Sequence, residues 1–227
     1  SWANGIGAIR LSMPNGYVTR HVKMTAIVAL LLFSQAQAQA QAQAQERLIM
    51  TFGDSLTAGH GLPASKGFVA RLQHALRQRG RAVRVRNGSV SGDTTSGGRA
   101  RLDWTLKGKI DLVILELGAN DFLRGVSPAV TRRNLDAILR ELGRREIPVL
   151  LAGMKAPPNL GPRYGKAFDG IYPDLARRHK VALYPFFLAG VASRRSLNQI
   201  DGIHPNAAGV EVIVAAMVPY VLDLLDR

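Results

Sequence analysis

The chain has 227 residues, and its 47% hydrophobic content is ample for a single α/β core. It contains no cysteine, which excludes disulfides, thiol nucleophiles and zinc–thiolate sites. The formal net charge of +14 would attract anionic partners such as nucleic acid or phospholipid headgroups.

Residues 1–45 have the pattern of a processed N-terminal segment. Basic residues precede the apolar stretch from Met24 to Phe33, which is shorter than the roughly 20 residues of a membrane-spanning helix. The Ala-Gln repeat from Gln35 to Gln45 then offers several Ala-x-Ala cleavage sites. We predict an N-terminal extension with a bacterial signal peptide, translation from Met24 or Met13, and a periplasmic or secreted mature protein.

From residue 46 to residue 227 the chain alternates short apolar runs with helical patterns. The predicted strands are Leu48–Phe52, Val83–Arg86, Leu112–Leu117, Val149–Ala152 and Val181–Tyr184. The predicted helices are Gly67–Gln78, Gly97–Lys107, Pro128–Arg145, Tyr164–His179 and Asn206–Leu225. This alternation predicts one α/β domain, a three-layer α/β/α sandwich around a five-stranded parallel sheet, because parallel neighbours need crossover helices.

Candidate functional residues follow the predicted strands at their carboxyl ends. Ser55 comes after the first strand, Gly92 after the second and Asn120 after the third, while Asp201 and His204 stand in the last loop. The carboxyl ends of parallel strands share one edge of an open sheet, where ligands bind. We therefore expect residues about 150 positions apart in sequence to meet there.

Three of these residues match the needs of nucleophilic catalysis by serine. A serine hydroxyl attacks readily only when a histidine accepts its proton and a carboxylate orients that histidine. Ser55, His204 and Asp201 are the candidates. Thr57 replaces the second glycine of a Gly-x-Ser-x-Gly elbow, which argues against the α/β-hydrolase arrangement. The other histidines have no acidic residue in a comparable motif and are interpreted as surface or packing residues: His21, His60, His74 and His179.

The motifs together resemble the four blocks of the SGNH (GDSL) hydrolase family. The blocks are Gly53-Asp54-Ser55-Leu56, Gly92, Gly118-x-Asn120-Asp121 and Asp201-x-x-His204. Neighbouring segments are similar to the bacterial arylesterase, thioesterase and lysophospholipase branch of that family. The resemblance implies a flavodoxin-like fold and a broad-specificity carboxylester or thioester hydrolase that uses no metal and no cofactor.

The resemblance also implies how the reaction's negative charge is stabilised. The backbone N–H groups of Ser55 and Gly92 and the side-chain amide of Asn120 would form the oxyanion hole. Asp54 is expected to hold the nucleophile turn through backbone hydrogen bonds, and Asp121 is expected to act in the same way after Asn120.

The substrate is less well defined by the sequence. A small-molecule ester or lipid is expected. Several apolar residues near the predicted cleft either line an acyl channel or pack within the loops: Phe122, Leu123, Met154, Pro157 and Pro158. Asp93 is a further candidate for substrate contact.

Alternative functions and partners stay open beside the esterase hypothesis. A carbohydrate O-acetyl esterase would need the same catalytic set, and a nonenzymatic module could bind anionic ligands through its charge. The basic residues are dispersed and lack interleaved aromatic residues, so no specific nucleic-acid partner is predicted. Contact with an anionic membrane is an open alternative, and a monomer is expected.

Overall fold

The computed structural model describes residues 46–227. The predictions for residues 1–45, including the signal peptide and its cleavage, lie outside the described residues. The strands are β1 Arg47–Gly53, β2 Val83–Asn87, β3 Leu112–Glu116, β4 Val149–Ala152 and β5 Ala182–Tyr184. The helices are α1 Ser55–Ala58, α2 Phe68–Arg77, α3 Thr95–Thr105, α4 Ala119–Leu123, α5 Pro128–Arg144, α6 Pro162–Asp169, α7 Ile171–His179 and α8 Ala207–Leu225.

The five strands form one parallel sheet in the order β2-β1-β3-β4-β5. Every residue of β3 and β4 is buried, as expected for strands covered on both faces. The strand order reverses direction between β1 and β3, which opens a crevice at the carboxyl edge of the sheet. The predicted α/β/α fold is confirmed.

Helices cover the sheet in two groups. Helix α2 packs against α8, and α5 packs against α3 and α7. Helix α8 is long and apolar enough by composition to span a membrane, but it contacts α2, β4 and β5 and buries one face in the core. The 46–227 unit therefore carries its own sheet and hydrophobic core.

The predicted helix Tyr164–His179 is wrong as a single element. The structure has two helices that meet at Gly170, Pro162–Asp169 and Ile171–His179. Pro173 has no N–H to donate to the carbonyl of Asp169, so the hydrogen-bond ladder is interrupted there. The predicted start at Gly97 is also two residues late, because the Thr94 side chain accepts a hydrogen bond from the Gly97 N–H and caps α3 at that point.

Candidate active site

Ser55, His204 and Asp201 form a continuous hydrogen-bonded chain at the carboxyl edge of the sheet. Ser55 is the first residue of α1, which Asp54 alone separates from the end of β1. The Ser55 Oγ lies 2.9 Å from His204 Nε2, although the two residues are 149 positions apart. His204 Nδ1 lies 2.7 Å from Asp201 Oδ2. This geometry suits proton transfer from the serine hydroxyl to the imidazole.

The turn from Asp201 to His204 is a rigid unit. Asp201 Oδ1 accepts hydrogen bonds from the N–H groups of Ile203 at 2.9 Å and His204 at 3.0 Å. Hydrogen bonds from the His204 backbone, the His204 side chain and the Ile203 backbone, in that order, lower the pKa of Asp201 to about 2. Asp201 is therefore ionised at neutral pH, which favours the His204 tautomer with its proton on Nδ1. The lone pair of Nε2 is then free to accept the proton of the Ser55 hydroxyl.

Asp54 connects the nucleophile turn to Asn120. Its Oδ1 caps α1 by accepting a hydrogen bond from the Leu56 N–H at 3.0 Å, and its Oδ2 accepts one from Asn120 Nδ2 at 3.0 Å. Burial raises the pKa of Asp54 to about 6 despite these hydrogen bonds. An amide nitrogen carries two hydrogens, so the second N–H of Asn120 is available to a substrate.

Asp121 contacts different elements from those expected. It accepts hydrogen bonds from the Thr95 N–H at 2.8 Å, the Thr95 hydroxyl and the Thr131 hydroxyl at 3.0 Å. These contacts join the start of α3 and the first turn of α5 to the segment that carries Asn120. Asp121 thus fixes the position of helices around the site rather than the turn after Asn120.

A second carboxyl group, Glu116, is fully buried beneath the nucleophile turn. Its Oε2 lies 3.4 Å from the Asp54 N–H donor and 3.2 Å from the Thr57 hydroxyl, and its Oε1 meets no hydrogen-bond partner among residues 46–227. Burial, and then the charge of Asp54, raise the pKa of Glu116 well above 4.5. The neutral acid is the form that this environment favours.

Replacing Glu116 with glutamine should flatten the dependence of stability on pH. In the wild type the folded protein holds the Glu116 proton more tightly than the unfolded chain does, so the free energy of unfolding falls as pH rises from about 4.5 towards the folded pKa. E116Q imitates the neutral acid and cannot ionise, so its stability should fall less between pH 5 and 8. Urea unfolding of both proteins across that range measures the difference. Parallel pH profiles would contradict the proposed protonation.

Arg101 joins the nucleophile turn to the loop that carries Gly92. Its Nε pairs with Asp93, its Nη1 donates to the Gly88 carbonyl and its Nη2 donates to the Gly53 carbonyl at 3.1 Å. The guanidinium also lies 4.2 Å from the centre of the Phe52 ring. Asp93 is thus paired with Arg101 and is not among the cleft-lining residues, so its contact with substrate stays a prediction.

The substitution R101M should lower kcat more than it changes KM. Without the guanidinium the two loops lose their common partner, and one oxyanion donor would be misplaced. Complete loss of such a donor lowers kcat by about 10²- to 10³-fold, which is the upper limit for this variant. R101K should recover little, since an ammonium group cannot bond three groups as a planar fork does. Steady-state kinetics check this, with R99M as the control from the exposed face of α3. A wild-type kcat in R101M would contradict the positioning role.

An apolar cleft of about 440 Å³ opens beside Ser55 and His204. The residues predicted to form the acyl channel all line it: Phe122, Leu123, Met154, Pro157 and Pro158. Sequence reasoning missed a further set of lining residues, which includes Phe186, Leu188, Ala192 and Ile203. The signal was available, because the apolar run 186–188 follows β5 at the same edge as the other motifs. Gly92 is not among the lining residues, so its share in the oxyanion hole stays a prediction.

The remaining described histidines have separate environments. The His60 ring lies 4.6 Å from the His204 ring between centroids, which makes it a packing partner of the candidate base. His179 Nε2 lies 2.8 Å from Asp136, so His179 does have an acidic partner, but the pair links α7 to α5. Within residues 46–227 no group of three or more metal-ligating side chains is present.

Comparisons with known proteins agree with this geometry. The GDSL-like Lipase/Acylhydrolase family matches residues 51–212. Esterase TesA of Pseudomonas aeruginosa is 43% identical over 178 residues, which cover 78% of this chain and 89% of the relative. Thioesterase 1/protease 1/lysophospholipase L1 of Escherichia coli K12 is 40% identical, over 70% of this chain and 75% of the relative. The crystal structure of AlinE4, an SGNH-hydrolase family esterase, is 50% identical with a TM-score of 0.68, over 80% of this chain and 97% of that one.

Proposed function

The chain belongs to the GDSL-like lipase/acylhydrolase family, as its motifs predict, and we propose that it hydrolyses esters through an acyl-enzyme on Ser55. The observation that supports the mechanism is the hydrogen-bonded chain from Ser55 through His204 to Asp201 at 2.9 and 2.7 Å. The family assignment makes the chain a hydrolase of the esterase type. The role of each residue is the proposal.

The first half of the reaction forms the acyl-enzyme. As the Ser55 Oγ bonds to the carbonyl carbon, its proton moves to His204 Nε2 and the carbonyl electron pair moves to oxygen. The resulting imidazolium is stabilised by ionised Asp201. Collapse of this tetrahedral intermediate breaks the carbon–oxygen bond, and His204 returns the proton to the leaving alcohol or thiol.

We assign three donors to the oxyanion. Ser55 occupies the first position of α1, where a backbone N–H has no acceptor within its own helix. Asn120 Nδ2 is fixed by Asp54, which leaves its second N–H for the substrate oxygen. Gly92 is the third proposed donor, with a φ of 85° that favours glycine.

The second half of the reaction releases the acid. Water takes the place of the alcohol, gives its proton to His204 and attacks the acyl carbon, after which Ser55 recovers its proton. The cleft beside Ser55 is lined mainly by apolar side chains and falls within the size range of small-molecule sites. We therefore assign aryl and short-to-medium acyl esters as substrates, with acyl thioesters and lysophospholipids next.

The cellular setting of the proposed enzyme is inferred from the sequence pattern of residues 1–45. A basic segment, a short apolar stretch and Ala-x-Ala sites favour export to the periplasm or the medium. We propose that the exported enzyme acts there as a monomer on small esters or lipids.

A chain-length series tests the substrate class. The protein from Glu46 onward is assayed with p-nitrophenyl acetate, butyrate, octanoate and palmitate. We expect kcat/KM to peak at butyrate or octanoate, because these acyl chains gain more apolar contact in the cleft than acetate does. A preference for acetate would support the carbohydrate O-acetyl esterase. Absence of turnover with all four esters from folded protein would support the nonenzymatic alternative.

A further inference from the structure

The mouth of the cleft carries exposed aliphatic side chains. Leu123 is 55% exposed, Ile203 is 49% exposed and Ile200 is fully exposed. Leu123 and Ile203 line the cleft, and Ile200 lines the adjoining depression, which shares Ser193, Asn198 and Gly202 with the cleft. Exposed aliphatic groups gathered around an opening mark a surface that meets another apolar phase.

Basic side chains stand beside the same opening. Lys155 lines the cleft, Arg195 lines the adjoining depression, and Arg124 and Arg194 adjoin lining residues in sequence. Among the described residues none of these four lies within 4.0 Å of an acidic group. Arg124 donates to the Gly92 carbonyl at 2.8 Å, and the Lys155 ammonium lies 5.6 Å from the centre of the Phe186 ring. Their charges are thus left uncompensated.

The exposed acidic groups near the mouth, Asp169 and Asp201, are fewer than the four basic ones. Asp169 accepts a hydrogen bond from the Ala156 N–H, and Asp201 bonds to neutral His204, so each keeps its negative charge. Asp54 and Asp121 are buried. Basic residues without an acidic partner also stand elsewhere among the described residues, Arg79 and Lys107 among them. What marks the mouth is that unpaired basic side chains and exposed aliphatic side chains meet at the opening of the cleft.

We propose that the cleft mouth docks on the surface of an anionic phospholipid bilayer. The aliphatic side chains enter the boundary between headgroups and acyl chains, while the basic side chains contact lipid phosphates. Docking in this orientation places the opening of the cleft against the membrane. Delivery of lipid esters to Ser55 by this contact rests on the proposed function, but the contact itself does not.

The chemistry of the mouth favours a bilayer over a nucleic acid. Proteins that bind single strands stack bases on aromatic side chains. The exposed apolar residues at this opening are aliphatic, and Trp104, which is 71% exposed, lies on α3 and outside the residues that line the cleft. Aliphatic insertion needs an acyl phase, which a polyanion lacks.

The test is co-sedimentation of the protein from Glu46 onward with vesicles of phosphatidylcholine alone or mixed with phosphatidylglycerol. S55A protein is used so that lipid hydrolysis does not alter the vesicles. We expect binding to the anionic vesicles only, weakened by salt. Each basic residue near an anionic surface contributes roughly fivefold to partitioning, so R194E/R195E should weaken binding by at least about 25-fold. I200S should weaken it without changing net charge.

The matched control is R79E/K107E. Both side chains are exposed and stand before β2 and β3, at the opposite edge of the sheet, and the change in net charge is the same. Wild-type binding by this control supports docking through the mouth. Three results would overturn the proposal. They are an equal loss of vesicle binding in both double variants, failure of the protein to bind anionic vesicles, and release of the protein from the vesicles by single-stranded DNA at equal charge.

Activity on soluble p-nitrophenyl butyrate separates the two hypotheses. I200S and R194E/R195E, made with Ser55 intact, should retain wild-type turnover, because these residues do not line the cleft beside Ser55. Turnover without vesicle binding would overturn the docking surface alone. Vesicle binding without turnover by the wild type would overturn the proposed function alone.

Discussion

Replacing Ser55 with alanine is expected to lower kcat/KM for p-nitrophenyl butyrate by about 10⁴- to 10⁶-fold, the range seen when a serine nucleophile is removed. The residual rate would come from the oxyanion donors and from binding in the cleft. Because Ser55 is only partly buried and, among residues 46–227, its hydroxyl hydrogen-bonds only to His204, S55A should unfold at nearly the wild-type urea concentration.

The matched control for S55A is S193A, since Ser193 is another serine that lines the same cleft. It should keep most of the wild-type activity, because no described histidine lies within hydrogen-bond distance of its hydroxyl. A loss in S193A as large as that in S55A would move the nucleophile away from Ser55.

Replacing Asn120 with alanine has the second largest expected effect, a fall in kcat of about 10²- to 10³-fold with KM little changed. A donor that strengthens its bond only as charge develops on the oxygen contributes to the transition state and not to substrate binding. The variant also leaves Asp54 Oδ2 without its amide partner, so a loss of about 1–3 kcal/mol in unfolding free energy should accompany the kinetic effect.

Steady-state kinetics and urea unfolding of N120A distinguish the two effects. N159A, an exposed amide in the segment after β4, serves as the control and should be unaffected in both assays. A rise in KM with unchanged kcat would contradict the oxyanion role and would make Asn120 a substrate-binding residue.

The sheet and the motifs at its edge were predictable because each depends on local sequence. Buried parallel strands are continuous apolar runs, and Ser55 and Asn120 each stand in the loop or helix start that follows one of them. The rule that carboxyl ends of parallel strands share an edge then predicted contact between Ser55 and His204, which the structure shows at 2.9 Å.

The side-chain contacts that hold the catalytic loops in place were not predictable in the same way, since they join residues that meet only in the folded chain. Arg101 reaches the Gly53 carbonyl 48 positions away, and Glu116 lies below Asp54 from the neighbouring strand. No spacing in the sequence marks either contact. The wall formed by Phe186 and Leu188 was missed because the segment after β5 contains no polar motif to draw attention to it.

The most direct test of the central claim is the site of covalent modification by an alkyl fluorophosphonate. Attack by the Ser55 Oγ would form an oxygen–phosphorus bond and expel fluoride, leaving a stable analogue of the tetrahedral intermediate. We predict one adduct per chain by intact mass, located on the peptide that contains Ser55, with activity lost in proportion, slow labelling of H204A and none of S55A. Stoichiometric labelling of another residue, or ester turnover that survives full modification of Ser55, would contradict the account.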